Sequence, residues 1–230
     1  MVISIIIEGG VLANDNISAI TMNNVESLRQ SFYRIFNGIL QEDEDISIKI
    51  IPQASYKQAI KSYLVATEDT FLLIDLDMPK QQKAQWFDNL ATLPNKPITI
   101  PDERKENIYF MIQEMEAWIL KQPEAIYKWA IEYNHYLTKR TDNLAEHTML
   151  RNKNVEDIAK PSSVLEKLIT TFFEKDLNGT RAEKKKLGKV RYTKLKEGAE
   201  LLDCLNIALL LAQDDELKRF KGNVLTSVES

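Results

Sequence analysis

Apolar residues along this chain fall into short solid runs separated by amphipathic stretches. VISIIIEGG (2–10) is a β-branched run ending in Glu and Gly, the pattern of a strand buried on both faces of a parallel sheet. Val25, Leu28, Phe32, Ile35 and Ile39 then recur at spacings of three and four, predicting a helix; Asn23 with Glu26 reads as its N-terminal capping pair. ISIKIIP (46–52) predicts a second strand stopped by Pro52, SYKQAIKSYLVA (55–66) a helix, and TFLLIDLD (70–77) a third strand. KQQKAQWFDNLATL (80–93) predicts a helix, PNKPITIPDE a proline-punctuated loop, NIYFMIQ (107–113) a fourth strand, and EAWILK a further helix. Strands alternating with helices over short connections predict an α/β fold: a parallel sheet of about four strands flanked by helices.

From Glu124 onward the pattern predicts no strand. EAIYKWAIEYNHYL, SVLEKLITTFFEK and GAELLDCLNIALLLAQ all carry a helical period. A break at 140–155 divides the chain into an α/β domain at 1–140 and a C-terminal helical lobe at 141–230 packed on it.

Composition changes this picture little. A hydrophobic content of 44% and a net charge of −4 suit a globular protein and predict no polyanion partner by themselves. The distribution of charge matters more: QEDED (41–45) is acidic, whereas RAEKKKLGKVRYTKLK (181–196) is strongly basic. A single cysteine, Cys204 in an apolar run, excludes an intramolecular disulfide and a cysteine-cluster metal site. The first residues lack a basic segment before a short apolar run, and the longest apolar stretch is interrupted by Asp203 and Asn206. A cytoplasmic protein with no membrane partner is expected.

The chemistry gathers at strand ends. The first strand ends at Glu8 before two glycines, the third at Asp75 and Asp77, and the fourth runs into Glu114 and Glu116. Open α/β sheets bind their ligands at the carboxyl ends of strands, and oxygen-only clusters suit Mg²⁺ or Mn²⁺. Asp at a strand end also serves as a turn and cap residue, so an Asp-x-Asp pair alone is consistent with a purely structural role. Residues two apart on a helix point in opposed directions, so only one of Glu114 and Glu116 faces such a site. Glu114 fits a first-turn acid favoured by the helix dipole.

The order of these motifs resembles the Toprim domain of topoisomerases, primases and OLD-type nucleases. More closely, it is similar to a bacterial Toprim-like family of unknown function grouped with ATPase-linked phage-defence systems. The likeness rests on IIIEGG, on SLRQSFYRIF, on LLIDLDMP, on MIQEMEAWIL, on RYTKLKEGAELLDCLN and on RFKGNVL. The turn at Asn14–Asn16 and the stretch PQASYKQA after Ile51 depart from the pattern. The resemblance implies a Toprim-like sheet, Glu8 as general acid/base and also a metal ligand, Asp75 and Asp77 as the metal-binding pair and catalytic with Glu8, and Glu116 rather than Glu114 as a further ligand of Mg²⁺ or Mn²⁺.

On that reading the chain is a metal-dependent nuclease with nucleic acid as substrate, a partner ATPase and a homo-oligomeric assembly. Arg29 is a candidate for bidentate phosphate contact, or a surface ion pair. Lys189, Arg191 and Lys194, interleaved with Tyr192, are candidates for substrate binding, or a solvated basic face. His135 and His147 lack ligand spacing, and Trp86, Trp118 and Trp129 fit core positions. Two other readings stay open. One is a non-enzymatic sensor or adaptor with a vestigial acidic site. The other is a haloacid-dehalogenase-type phosphatase, disfavoured because Pro79 follows the Asp pair and because the pair closes the third strand.

Overall fold

The computed structural model describes residues 1–9, 19–40, 46–66, 69–94, 96–133, 135–137, 143–176 and 187–228. The acidic 41–45 stretch, residues 14–16 and the 181–186 part of the basic segment lie outside them. Strands β1 (Val2–Glu8), β2 (Ser47–Gln53), β3 (Thr70–Asp75) and β4 (Ile108–Met111) form one parallel sheet in the order β2-β1-β3-β4. Helices α1 (Ala19–Ile39), α2 (Tyr56–Leu64) and α3 (Lys83–Ala91) fill the crossovers, with a short α4 (Asp102–Lys105) before β4. The predicted α/β sheet flanked by helices is present.

The solid apolar runs are explained by which face each residue serves. Ile3, Ile5, Ile7, Phe71, Leu73, Tyr109 and Met111 face one way, packed with Leu28, Phe32, Ile35 and Phe36 of α1. Ile6, Leu72, Ile74, Ile108 and Phe110 face the other, packed with Ala59, Ile60 and Tyr63 of α2 and Trp86 and Leu90 of α3. Side chains alternate between faces along a strand, and helices on both faces leave no position for a polar residue until the strand ends.

After β4 come α5 (Glu116–Leu120), α6 (Pro123–Glu132), β5 (His135–Leu137), α7 (Pro161–Phe172), β6 (Phe173–Asp176), β7 (Leu187–Lys189), α8 (Glu197–Asp203), α9 (Ile207–Gln213) and α10 (Asp215–Val228). Their buried side chains, among them Trp118, Trp129, Leu165, Phe172, Leu201 and Phe220, continue the α1-side core without a break. Polar contacts fasten the same surfaces: Ser31 Oγ donates to the Ala199 carbonyl at 3.1 Å, and Trp118 Nε1 donates to Asp214 Oδ2 at 2.7 Å.

Two expectations are corrected. β5, β6 and β7 pair antiparallel in a second sheet, where the sequence predicts no strand. Each spans only three or four residues, too short to show a period of two, and β6 follows α7 without a linker, so its residues read as a further helical turn. The Asn23–Glu26 capping pair is the second correction. α1 begins at Ala19, so Asn23 lies inside it with its carbonyl accepting from Ser27 Oγ at 3.0 Å, and Glu26 binds Arg29 instead.

Candidate functional site

The carboxyl ends of β1 and β3 and the start of α5 bring the strand-end acids together. β1 stops at Glu8 because Gly9 takes φ = 103°, a conformation that strains any residue with a side chain, while its N–H donates to the Gln53 carbonyl at 2.8 Å. Glu8 has the parity of Ile6, so it leaves the sheet on the α2 side. There the backbone N–H of Tyr56, the first residue of α2, donates to its carboxylate. Asp75 has the parity of Leu73 and leaves on the opposite side. Its Oδ1 accepts from the Met115 N–H at 2.9 Å, and its Oδ2 receives the Lys194 ammonium.

Beyond Asp75, β3 keeps its pairing with the β4 side: Leu76 N–H donates to the Met111 carbonyl and Asp77 N–H to the Gln113 carbonyl at 2.8 Å. Asp77 and Gln113 both adopt left-handed backbone conformations, φ = 54° and 62°. Asp tolerates this region better than Gln, and such strain concentrates where a fold must hold a functional geometry. Asp77 thereby sits exposed at the rim.

Glu116 opens α5 and turns inward, 1% exposed, with Oε1 accepting from the Tyr192 hydroxyl at 2.6 Å. Gly198 makes room for that hydroxyl: a Cβ there would stand 3.1 Å from the Tyr192 oxygen. Glu114 precedes the helix rather than lying in its first turn. Its carboxylate accepts from the Ser162 N–H at 2.8 Å, at the N-terminal end of α7. The expectation of a first-turn acid on α5 is therefore corrected, because the dipole it serves belongs to a different helix.

The charges here do not balance. Glu8 Oε2 and Glu116 Oε2 are buried with no hydrogen-bond partner among the described residues. Burial first, then the neighbouring Asp75, pushes the Glu8 carboxyl up to about 7 against the pull of Lys194. Asp77 is raised by partial desolvation and by Asp75 and Glu114, and Glu116 by burial, which outweighs Lys194 and Tyr192. Desolvation works against the Lys194 ammonium, yet Asp75 and Glu116 outweigh it and hold its pKa above the usual lysine value. Burial and Glu116 keep the Tyr192 phenol protonated, as its role of donor requires. The cluster is thus rich in negative charge with one ammonium at its centre.

Of the residues singled out from the sequence, Glu8, Asp75, Asp77, Glu116 and Lys194 come together here. Lys194 does so as the ion-pair partner of Asp75, with 34% of its side chain exposed. Arg29 holds Glu26 through two nitrogens at 2.6 and 2.7 Å, and no described contact joins it to the cluster. Lys189 and Arg191 are exposed and pair with no described residue. His147 packs edge-on against Phe172, and Trp118 and Trp129 are core residues. The sequence reading missed Tyr192 as the hydrogen-bond donor to Glu116 and the Tyr56 N–H as the donor to Glu8. The spacing of Tyr192 and Lys194 was the available signal: residues two apart in extended backbone point to one side.

A hard divalent cation fits this donor set by chemistry, since every ligand is a carboxylate and two buried oxygens lack partners. Among the described residues, however, no three acidic, histidine or cysteine side chains are grouped to share one ion. The pleat explains why: Glu8 and Asp75 leave the sheet on opposite sides, and Lys194 already holds the Asp75 carboxylate.

Fold and site define an α/β protein with an acidic cluster at the carboxyl edge of its parallel sheet. The chain belongs to the family described as domain of unknown function (DUF4276), whose model matches residues 17–223. That span takes in Asp75, Asp77, Glu116, Tyr192 and Lys194 and begins after Glu8. No curated protein and no solved structure matches the chain. No helix among the described residues is long and apolar enough to cross a membrane.

Proposed function

We propose that the protein is a metal-dependent phosphodiesterase acting on nucleic acid, with its centre over the ends of β1 and β3. The observation that carries this reading is the pair of buried carboxylate oxygens, Glu8 Oε2 and Glu116 Oε2, left without partners beside Asp75. Burying a charged group without a partner is costly, so a fold that keeps two at one strand edge is arranged for a cation it binds. With their side chains drawn together from the positions seen here, in which no three are grouped to share one ion, Asp75, Asp77, Glu8 and Glu116 would hold Mg²⁺ or Mn²⁺; such an ion would supply charge neutralisation at a phosphate and activation of the attacking oxygen.

The chain's own groups do the rest. Asp75 anchors the site through the Met115 N–H, so its position depends on the turn between β4 and α5. Tyr192 orients Glu116. Glu8 is placed to take or give a proton at Oε2, whose partner position is open. Lys194, beside the strand ends and 34% exposed at its side chain, would be a cation for a phosphate oxygen, with exposed Lys189 and Arg191 on the segment leading to it.

The Lys194–Asp75 ion pair favours a second reading, in which the ammonium permanently takes the place of the metal and the protein is a sensor or adaptor. Mn²⁺ binding followed by calorimetry, with cleavage of labelled single- and double-stranded DNA and RNA, separates the two. The enzyme reading expects Mn²⁺ affinity and cleavage, both lost in Asp75→Asn, with Glu8→Gln losing cleavage and weakening Mn²⁺ binding. Wild-type protein that neither binds Mn²⁺ nor cleaves any of these substrates would overturn it in favour of the adaptor.

A further inference from the structure

Beside the carboxylate edge, on the α2 and α3 side of the sheet, lies a cavity of about 200 Å³. Asp75 and Asp77 line one part of it. The rest is formed by the aromatic residues Tyr56 and Trp86, by Leu76, Met78, Leu90 and Leu93, and by the amide-bearing Asn89. Tyr56 is half-buried and Trp86 is 7% exposed, its ring braced edge-on by Phe87 and Phe110 at 5.1 and 4.9 Å between centroids. Asn89 is exposed on the same helix, three residues after Trp86, and so lies on the same side.

This combination is specific in its chemistry. A core cavity would be dry and closed, whereas this one adjoins the exposed Asp77 at the rim and carries an amide able to donate and accept. Apolar walls with two aromatic rings and a single amide suit a flat heteroaromatic ring with polar edges, rather than a sugar, which needs many hydrogen-bond partners, or a plain alkyl group, which needs none. Asp77 at its rim sets the cavity beside the strand-end cluster, where the proposed function puts the phosphate to which such a ring would be attached.

We propose that this cavity is a nucleobase subsite, which takes the base next to the phosphate held at the strand ends. The inference rests on the phosphodiesterase reading for the phosphate, but the cavity itself is tested independently. An unpaired base is required, because a ring inserted between α2 and α3 must leave its stack. The substrate class is therefore a nucleotide or a single-stranded nucleic-acid segment, not an intact duplex. Trp86 and Tyr56 would be stacking walls, and Asn89 would read the base edge.

The test compares AMP, ribose 5-phosphate and adenosine, each with Mg²⁺, by tryptophan fluorescence and calorimetry. AMP is expected to change the Trp86 emission and to bind roughly tenfold more tightly than ribose 5-phosphate, the effect of one stacked base. Trp118 and Trp129, 1% and 0% exposed, are too buried to report on it, so Trp86→Phe should lose the signal. Asn89→Trp, at an exposed position that leaves the fold intact, should fill the cavity and abolish the AMP advantage while ribose 5-phosphate binds as before. Adenosine binding without any ribose 5-phosphate binding would support the cavity and overturn the phosphate site. Equal affinities for AMP and ribose 5-phosphate would overturn the cavity and leave the phosphate site standing. If neither AMP nor adenosine binds, the base subsite is wrong.

Discussion

Two groups of buried charge flank the same sheet, and they differ in how completely each is matched. At its outer edge, β4 has no neighbouring strand, and α10 supplies side chains for its open backbone. Glu216, 8% exposed at its side chain, accepts from the Phe110 N–H at 3.4 Å, from Lys83 at 2.6 Å and from Arg219 at 2.8 Å. Arg219 also donates to the Ile108 carbonyl at 2.5 Å. Burial pushes the Glu216 carboxyl up, but Arg219 and Lys83 outweigh it and hold the group below the usual range. At the carboxyl end of β1 and β3 the outcome is reversed: Glu8, Asp77 and Glu116 are all raised, and carboxylate oxygens stay unpartnered. The β4 edge closes a strand that would otherwise pair with another chain. The strand-end cluster retains an electrostatic cost that closing the fold does not require. At the β4 edge both Glu216 oxygens are matched, although Arg219 Nε is buried without a partner among the described residues; a carboxylate so matched reads as structural, whereas carboxylate oxygens left unmatched beside a cavity read as a site.

The comparison breaks first at Glu216. Glu216→Ala removes the shared partner of Lys83 and Arg219 and should cost about 3 kcal/mol, as for other buried pairs broken on one side. Urea denaturation measures it, and a loss below ~1 kcal/mol would mean that the β4 edge is not held by this network.

Lys194→Met should come next. It strips the ammonium from Asp75 and should cost about 2 kcal/mol near pH 8, given ~1.5–3 for hydrogen bonds to charged groups. Mg²⁺ should recover part of that loss and raise the melting temperature of the variant more than that of wild type. A loss that Mg²⁺ leaves unchanged would show that the acids do not seek a cation.

Glu8→Gln sharpens the same contrast through pH. Glu8 has a folded pKa of about 7 against an ordinary 4.5, so the folded protein binds this proton more tightly. Its stabilising effect is therefore complete below pH ~4.5 and lost as pH rises through about 7. Glu8→Gln should flatten that decline and exceed wild type near pH 8 by on the order of 1 kcal/mol, after allowing for solvent screening. A wild-type stability that does not fall across this window would contradict the raised pKa.

Tyr192→Phe should have the smallest effect, about 1 kcal/mol for one lost hydrogen bond to Glu116. Gly198→Ala should act in the same direction by crowding the Tyr192 hydroxyl. Nuclear magnetic resonance titration of Glu116 in both variants checks that they perturb one contact.

The sheet was legible in the sequence because its strands are buried on both faces, so each appears as a solid β-branched run bounded by a charged or turn residue. The acids at those boundaries, Glu8, Asp75, Asp77 and Glu116, were legible for the same reason: a strand interior excludes them, so their position marks an end. The short strands β5, β6 and β7 were not, since three or four residues carry no readable period. Nor could periodicity show that Lys194 and Tyr192 return across more than 70 positions to hold Asp75 and Glu116, because an ion pair or a hydrogen bond at that separation leaves no mark on local pattern. The sequence by itself determined which residues stop each strand, because a strand interior excludes their charge. Only the tertiary structure decided that Glu8 and Asp75 leave on opposite sides of one edge, with a lysine between the acids and an aromatic cavity beside them, because those relations depend on how the later helices pack back over the sheet.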